Sequence, residues 1–141
     1  MKILSVAVLG MALMSSAALA GVPEGTWLSE DGGTKVRIAN CGGKLCGTVV
    51  WLQEPNDPKT GKPKTDALNP DPAKRSHPML GLQVVHGLAS DGSDTWSGRI
   101  YNADDGNTYQ AHMKVPDANT AKVQGCVLGL LCKTQTWTRA K

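Results

Sequence analysis

Apolar and polar residues alternate along short stretches of this chain, which is the pattern of half-buried β-strands. In the run from Lys35 to Asn40, Val36 and Ile38 share one face, while Lys35 and Arg37 share the other. Later stretches place further rows on one face: Leu80, Leu82, Val84 and His86; Trp96, Gly98 and Ile100; Tyr109, Ala111, Met113 and Val115; Ala121, Val123 and Gly125; and Gln135, Trp137 and Arg139. Because no stretch carries a convincing helical period, the pattern predicts an all-β domain.

Two stretches depart from simple alternation. The run from Leu45 to Leu52 is apolar on both faces, which indicates a strand that is fully covered or strongly coiled. The run from Asn102 to Asn107 is rich in Asp, Asn and Gly, and it predicts a tight hairpin turn between two strands.

The two ends of the predicted sheet carry matching motifs, Gly25-Thr26-Trp27 and Trp137-Thr138-Arg139. In a closed barrel the first and last strands hydrogen-bond to each other, so Arg139 could stack on Trp27 by a cation–π contact. The alternative is that Trp27 and Trp137 are ordinary core residues and Arg139 is a solvated charge. If the motifs close the barrel, we expect Arg139→Ala to cost about 1 kcal/mol and to lower the melting temperature by a few degrees.

One long segment interrupts the strands. Residues 53–78 hold six of the eight prolines, and a connection of this length is usually functional or disordered. Its inner part contains Asp66, Asn69 and Asp71, which favour turns, and Arg75, which we expect to pair with Asp66 or Asp71. These four residues are candidate binding residues, and the alternative is a solvated lid held by turns.

The N-terminal residues have the organisation of a secretory signal peptide. Lys2 supplies positive charge, Ile3 to Leu13 an apolar segment, and Ala18-Leu19-Ala20 a cleavage site. We therefore expect residues 1–20 to be removed, and residues 21–141 to form one periplasmic or secreted domain without stable membrane insertion. Without Lys2, 14 basic residues face 12 acidic ones. This balance, and the lack of a basic stripe with interleaved aromatics, argues against nucleic acid as a partner.

Four cysteines occur as two close pairs, Cys41 with Cys46 and Cys126 with Cys132. An even number in an exported chain indicates disulfides, and each pair flanks a glycine-bearing turn, so we favour local bridges across two hairpins. Bridges between the two halves of the chain are the alternative. Zinc ligands usually follow a C-x₂₋₄-C spacing, and a zinc site is disfavoured because no histidine is near either pair.

Catalytic chemistry is sparse in the sequence. Neither a Gly-x-Ser-x-Gly motif nor a placed base accompanies a serine, so we expect no enzymatic activity, no metal and no cofactor. His77 and His112 are expected at the surface, whereas His86 falls on an apolar row and is a candidate for a pocket. Asp104-Asp105-Gly106-Asn107 is first of all a turn, since it lacks the further ligands of a calcium loop.

The order of motifs resembles a known family. The motifs, in order, are Gly25 and Trp27; Cys41, Leu45, Cys46 and Gly47; Asn69 to Pro72 with Arg75; Gly81-Leu82; Trp96 to Tyr101; Gly106 and Tyr109; Gly125-Cys126; and Gln135 to Arg139. This ordered set is similar to small exported bacterial proteins grouped as domain of unknown function 2147. The resemblance implies a small antiparallel up-and-down, lipocalin-like barrel of about eight strands with one long proline-rich loop, and no established reaction or ligand.

Two classes of function follow from these expectations. The first is the binding of a small apolar or lipid-like ligand in the barrel mouth, with these lining candidates: Trp51, Leu82, His86, Trp96, Tyr109 and Met113. The second is a protein-binding module, such as an inhibitor or an envelope-assembly factor, acting through rigid loops. An interior cavity above about 300 Å³ favours the first class. A barrel filled by its own side chains, with an exposed apolar patch on residues 53–78, favours the second.

Overall fold

Eight antiparallel strands close into a barrel in the computed structural model, which describes residues 20–92 and 94–141 together with Gly10. Within these residues the strands are β1 (Gly25–Leu28), β2 (Thr34–Cys41), β3 (Lys44–Leu52), β4 (Gln83–Ser90), β5 (Thr95–Asn102), β6 (Asn107–Asp117), β7 (Thr120–Val127) and β8 (Leu131–Arg139). A short 3₁₀ helix (Pro72–Lys74) lies in the long connection between β3 and β4. The predicted all-β barrel is confirmed.

The predicted signal peptide, residues 1–20, lies outside the described residues except for Gly10 and Ala20, so it stays a prediction. From Gly21 onwards, all the strands belong to the same barrel. Among the residues that are described, no helix has the length and apolar character that crossing a membrane requires.

The barrel closes where β1 pairs with β8. Trp27 lies opposite Arg139 in this pairing, and the Arg139 Cζ atom is 4.2 Å from the centroid of the Trp27 ring. Trp27 is fully buried, and its Nε1 donates to the Pro23 carbonyl at 2.8 Å. Trp137, two residues before Arg139, is also buried in the core. The cation–π contact expected at the closure is therefore present.

The Arg139 guanidinium also holds three backbone carbonyls that lie outside the strands. Nη1 donates to Glu24 and Nη2 to Val22, both at 2.9 Å, and Nε donates to Ala118. Gly25 has a φ of +129°, and a Cβ atom there would collide with Nη1 of Arg139. The Gly-x-Trp motif is thus explained, because only glycine leaves room for the guanidinium that stacks on Trp27.

A β-bulge changes the direction of the last residues of β3. Val36 pairs with Val49 but Lys35 pairs with Trp51, so Val50 is an extra residue in β3. The bulge places Trp51 on the outer face, where Nζ of Lys35 lies 4.8 Å from the centroid of its ring. Trp51 is 38% exposed, so of the two expectations for this strand, fully covered or strongly coiled, full cover is wrong at its end.

The predicted inward row of β4 is also broken. Leu80 precedes the strand and is exposed, while Val84 and Val85 are both buried in spite of being neighbours. His86 pairs with the exposed Arg99, which alternates with inward residues of β5, so His86 lies on the outer face. Partial burial and the nearby Arg99 guanidinium lower the pKa of His86. The assignment of His86 to an inward apolar row is therefore wrong.

The antiparallel order sorts the connections into two groups. The turns 29–33, 103–106 and 128–130 and the connection 53–82 lie at one end of the barrel, which we call the mouth. The other three turns and the segment before β1 lie at the opposite end. Both predicted local disulfides are present, and each links the two strands of one hairpin. Cys126–Cys132 lies at the mouth, and Cys41–Cys46 lies at the far end.

Candidate ligand-binding cavity

A cavity of about 970 Å³ occupies the mouth half of the barrel and is open to solvent. Its walls come from residues of seven strands, β2 to β8, and are mainly apolar. On these strands the apolar lining residues are Val36, Val49, Val84, Ile100, Tyr101, Tyr109, Val123, Val127, Leu131 and Trp137. The mouth half of the barrel is therefore not filled by its own side chains, and the cavity is larger than about 300 Å³, the lower limit of typical small-molecule sites.

The rim of the cavity is polar and predominantly acidic. The charged side chains among the lining residues are Glu30, Asp31, Asp104, Asp105 and Lys133. Hydrogen bonds from the Ser29 hydroxyl and the Gly33 amide lower the pKa of Asp31. Bonds from the Tyr109 hydroxyl and the Asn107 amide do the same for the pKa of Asp105. The mouth consequently presents ionised carboxylates at neutral pH.

Of the six predicted lining residues, Tyr109 lines the cavity. Trp51 and His86 lie on the outer face, as described above. Leu82 and Trp96 pack against the core, and Met113 is buried within it, but none of the three borders the cavity. Trp96 and Met113 do point inward as predicted, but they pair with each other at the far end of the barrel.

The lining residues that the sequence pattern did not identify lie nearer the mouth, along the barrel axis, than Trp96 and Met113 do. Alternation indicates which side chains point inward, but the cavity lies only in the mouth half. In an up-and-down barrel, successive strands run towards opposite ends, so the strand order tells which end of each strand is at the mouth. On β5 the inward residue nearer the mouth is Ile100 rather than Trp96, and on β7 Gly125 is one of them. That signal was available in the sequence once the strand order was assumed.

The long connection is anchored to the barrel by a buried carboxylate. Asp66 is 1% exposed and accepts hydrogen bonds from the Tyr101 hydroxyl at 2.6 Å and from Asn69 Nδ2 at 2.8 Å. Tyr101 belongs to β5, so this contact ties the segment to the wall of the barrel. The turn after β5 is also covered, since a Cβ atom on Gly106 would collide with the Leu68 carbonyl.

The other loop candidates complete a local network around Asn69. Its side-chain oxygen accepts from the Asp71 amide at 2.9 Å, and its carbonyl accepts from Arg75 Nε at 2.8 Å. Asp71 in turn caps the 3₁₀ helix by accepting from the Ala73 amide at 3.0 Å. The predicted pairing of Arg75 with Asp66 or Asp71 is wrong, because the guanidinium bonds to a carbonyl of the turn instead. In the described part of the chain the one ion pair is Lys64–Glu54, at 3.7 Å.

The buried hydrogen bond between Tyr101 and Asp66 predicts that the Tyr101 phenol loses its proton at a higher pH than an ordinary tyrosine does. Burial, together with the hydrogen bond to Asp66, raises the pKa of Tyr101 from 10.0 to about 12. The folded state therefore retains the phenol proton more strongly than the unfolded chain does. The corresponding stability is fully present below pH 10 and is lost as the pH rises through about 12.

The chain has two tyrosines, so each can be observed alone by the ultraviolet absorbance of phenolate. In the Tyr109→Phe protein we expect the remaining phenol, Tyr101, to titrate near pH 12. The Tyr101→Phe protein serves as the control for Tyr109. A Tyr101 phenol that titrates near its ordinary value in folded protein would show that the segment does not cover it.

A serine, a histidine and an aspartate meet on the outer face, outside the cavity. Ser97 Oγ donates to Asp91 and lies 3.1 Å from His112 Nδ1. In nucleophilic catalysis the imidazole lies between the serine and the carboxylate, so that it can take the hydroxyl proton. Here the serine lies between the other two, and the group is not arranged to activate Ser97. In the ranges 20–92 and 94–141, no cluster of three or more His, Cys, Asp or Glu side chains could hold a metal ion.

Comparisons with known proteins agree with the barrel architecture. No curated protein matches the chain. A solved structure described as "Protein HP1028 from the human pathogen Helicobacter pylori belongs to the lipocalin family" superposes with a TM-score of 0.71. The sequence identity is 23%, and the match covers 86% of this chain and 84% of that one, so the likeness shows a lipocalin-like fold. The model of a family described as "Uncharacterized protein conserved in bacteria (DUF2147)" matches residues 25–139, from the glycine beneath the closing guanidinium to Arg139 itself, and the chain belongs to this family.

Proposed function

We propose that this protein is a non-enzymatic binder of a small apolar or lipid-like molecule, which it holds in the barrel cavity. The observation that carries the proposal is the cavity of about 970 Å³ with mainly apolar walls and a polar rim. Burial of an apolar molecule against Val36, Val49 and Ile100 would supply the affinity, at about 25 cal/mol for each Å² removed from water. The lipocalin-like fold is consistent with small-ligand binding. An unfilled barrel favours this function over a module that acts only through its loops.

The rim limits the chemistry of the ligand. Four carboxylates and one ammonium group line the mouth, so the polar end of a bound molecule meets a net negative charge. An anionic head group would be repelled, whereas a neutral or cationic one would not. We therefore propose a ligand with an apolar body and an uncharged or cationic polar end.

The proposed setting is the extracytoplasmic space of a bacterium. Two disulfides within hairpins suit an oxidising compartment, and the predicted signal peptide would deliver the chain there. In such a compartment an apolar molecule needs a protein to cross water, which is the task that the cavity suits.

A matched pair of fluorescent probes tests the cavity and its charge together. N-phenylnaphthylamine and anilinonaphthalene sulfonate share an aromatic skeleton, and only the second carries a negative charge. Trp137 lines the cavity, so a bound probe should quench its fluorescence and accept its excitation energy. We expect the neutral probe to bind and the sulfonate to bind about tenfold more weakly, with the difference shrinking as salt is added.

Equal or tighter binding of the sulfonate would contradict the proposed role of the acidic rim. Absence of binding by both probes would contradict the proposed function as a whole. Native mass spectrometry of protein purified without detergent supplies an independent test. A recurrent adduct of lipid-like mass supports a carrier, whereas a bare protein that co-purifies with another protein favours the protein-binding alternative.

A further inference from the structure

The exposed apolar side chains of this protein are concentrated at the mouth. In the described residues these side chains at or near the mouth are Val50, Trp51, Leu68, Leu80, Val127, Leu128, Leu130 and Leu131, whereas Val22 lies at the far end. The most exposed are those at the end of the β7–β8 hairpin: Leu128 at 88%, Leu130 at 85% and Leu131 at 76%. We call residues 127–131 the hairpin tip. Leucines this exposed are not explained by the core of the barrel.

The hairpin tip is uncharged and adjacent to the cavity. The disulfide Cys126–Cys132 closes its base, and Leu128 and Gly129 have the positive φ angles of a tight turn. Val127 and Leu131 are themselves lining residues of the cavity, so the tip stands beside the entrance. A ligand that passes the entrance at this side would therefore move along an apolar surface.

We propose that the hairpin tip docks on the surface of a lipid bilayer and so brings the cavity entrance close to the membrane interface. A second copy of the chain is a poorer occupant. The tip exposes on the order of 500 Å² of apolar surface, whereas a stable complex usually buries about 800 Å² on each partner. The tip also lacks the aromatic, Arg and hydrogen-bonding side chains that characterise the centre of a protein interface. A fluid hydrocarbon layer can surround a convex aliphatic tip without such complementarity.

The charges near the entrance determine which bilayer is favoured. Glu30, Asp31, Asp104 and Asp105 face the same end of the barrel, and Lys133 is the one cation among the residues that line the cavity. The connection 53–82 adds five basic and four acidic residues at this end, so acidic residues still outnumber basic ones there. Attraction to anionic lipid therefore does not drive docking. We expect weak, reversible attachment to zwitterionic bilayers, insensitive to salt, and no gain when anionic lipid is added.

Flotation with phosphatidylcholine vesicles tests the proposal directly. The wild-type protein should float with the vesicles, and the double variant Leu128→Ser with Leu130→Ser should lose about tenfold in its partition coefficient. Val22→Ser is the matched control, because it removes an exposed apolar side chain at the far end and should leave flotation unchanged. Both substituted leucines are exposed, so the melting temperature should not change.

Other outcomes overturn the proposal. A wild-type protein that does not float, or a double variant that floats equally well, excludes docking by the tip. Sedimentation that shows a wild-type dimer and a monomeric double variant assigns the tip to a second copy. Only the biological role of docking rests on the proposed ligand-binding function, and the experiments can contradict either proposal without the other. Probe binding without flotation contradicts docking alone, whereas flotation without probe binding contradicts the ligand-binding function alone.

Discussion

Arg139→Ala is expected to lower the free energy of unfolding by about 3 kcal/mol, well above the sequence-based expectation of about 1 kcal/mol. The side chain contributes more than a stacking contact on Trp27. It donates to the carbonyls of Val22, Glu24 and Ala118, and its removal leaves these groups without that partner. In a domain of this size the loss corresponds to a fall of roughly 10 °C in melting temperature.

Thermal and denaturant unfolding of three variants test this prediction. The free energy of unfolding of Arg139→Lys should lie between those of wild type and Arg139→Ala. The lysine ammonium keeps the charge, but it lacks the planar guanidinium that reaches three separated carbonyls. Arg99→Ala is the matched control, since Arg99 is exposed on the outer face of β5. The free energy of unfolding of this control should stay within about 0.5 kcal/mol of the wild-type value. Equal stability of the Arg139→Ala and Arg99→Ala proteins would reduce Arg139 to a solvated charge.

The second large effect is expected from filling the cavity with Gly125→Phe. Gly125 lines the cavity, and a Cβ atom there would make only ordinary contacts, at 3.7 Å from Ile100 Cγ2 and Tyr109 Cβ. An aromatic ring at this position therefore enters space that the ligand would occupy. We expect the affinity for N-phenylnaphthylamine to fall by about a hundredfold, while the melting temperature stays the same or rises. The reason for the unchanged stability is that an aromatic residue suits a strand better than glycine.

Gln124→Phe is the control for this experiment. Gln124 is the preceding residue of β7, pairs with His112 and points to the outer face, so the same ring there should leave probe affinity unchanged. A folded Gly125→Phe protein with wild-type affinity would place the probe outside the cavity. Gly47→Phe is not a substitute, because even a Cβ atom at Gly47 would lie 2.8 Å from Val85 and the protein would be strained.

Two of the errors in the predicted site, the inward assignments of Trp51 and His86, have a common physical origin in β-bulges. One extra residue reverses the direction of every side chain that follows it in a strand. Trp51 follows such an insertion at Val50, and β4 has register shifts against both of its neighbours. Tyr109 lies in β6, whose pairing with β5 is regular over its whole length, and its inward direction is predicted correctly. Alternation is therefore reliable only where the pairing is uninterrupted.

Local pattern is sufficient to predict the strands, the hairpin turns, the adjacent cysteine pairs and the meeting of Trp27 with Arg139. Each of these depends on side-chain period, on turn chemistry or on the requirement that a barrel has no free edges. The cavity, its acidic rim and the buried contact between Asp66 and Tyr101 depend on how distant strand ends come together. Asp66 and Tyr101 are separated by 35 residues, and no local rule relates them. Packing around a closed sheet decides which inward side chains touch one another and which leave a space.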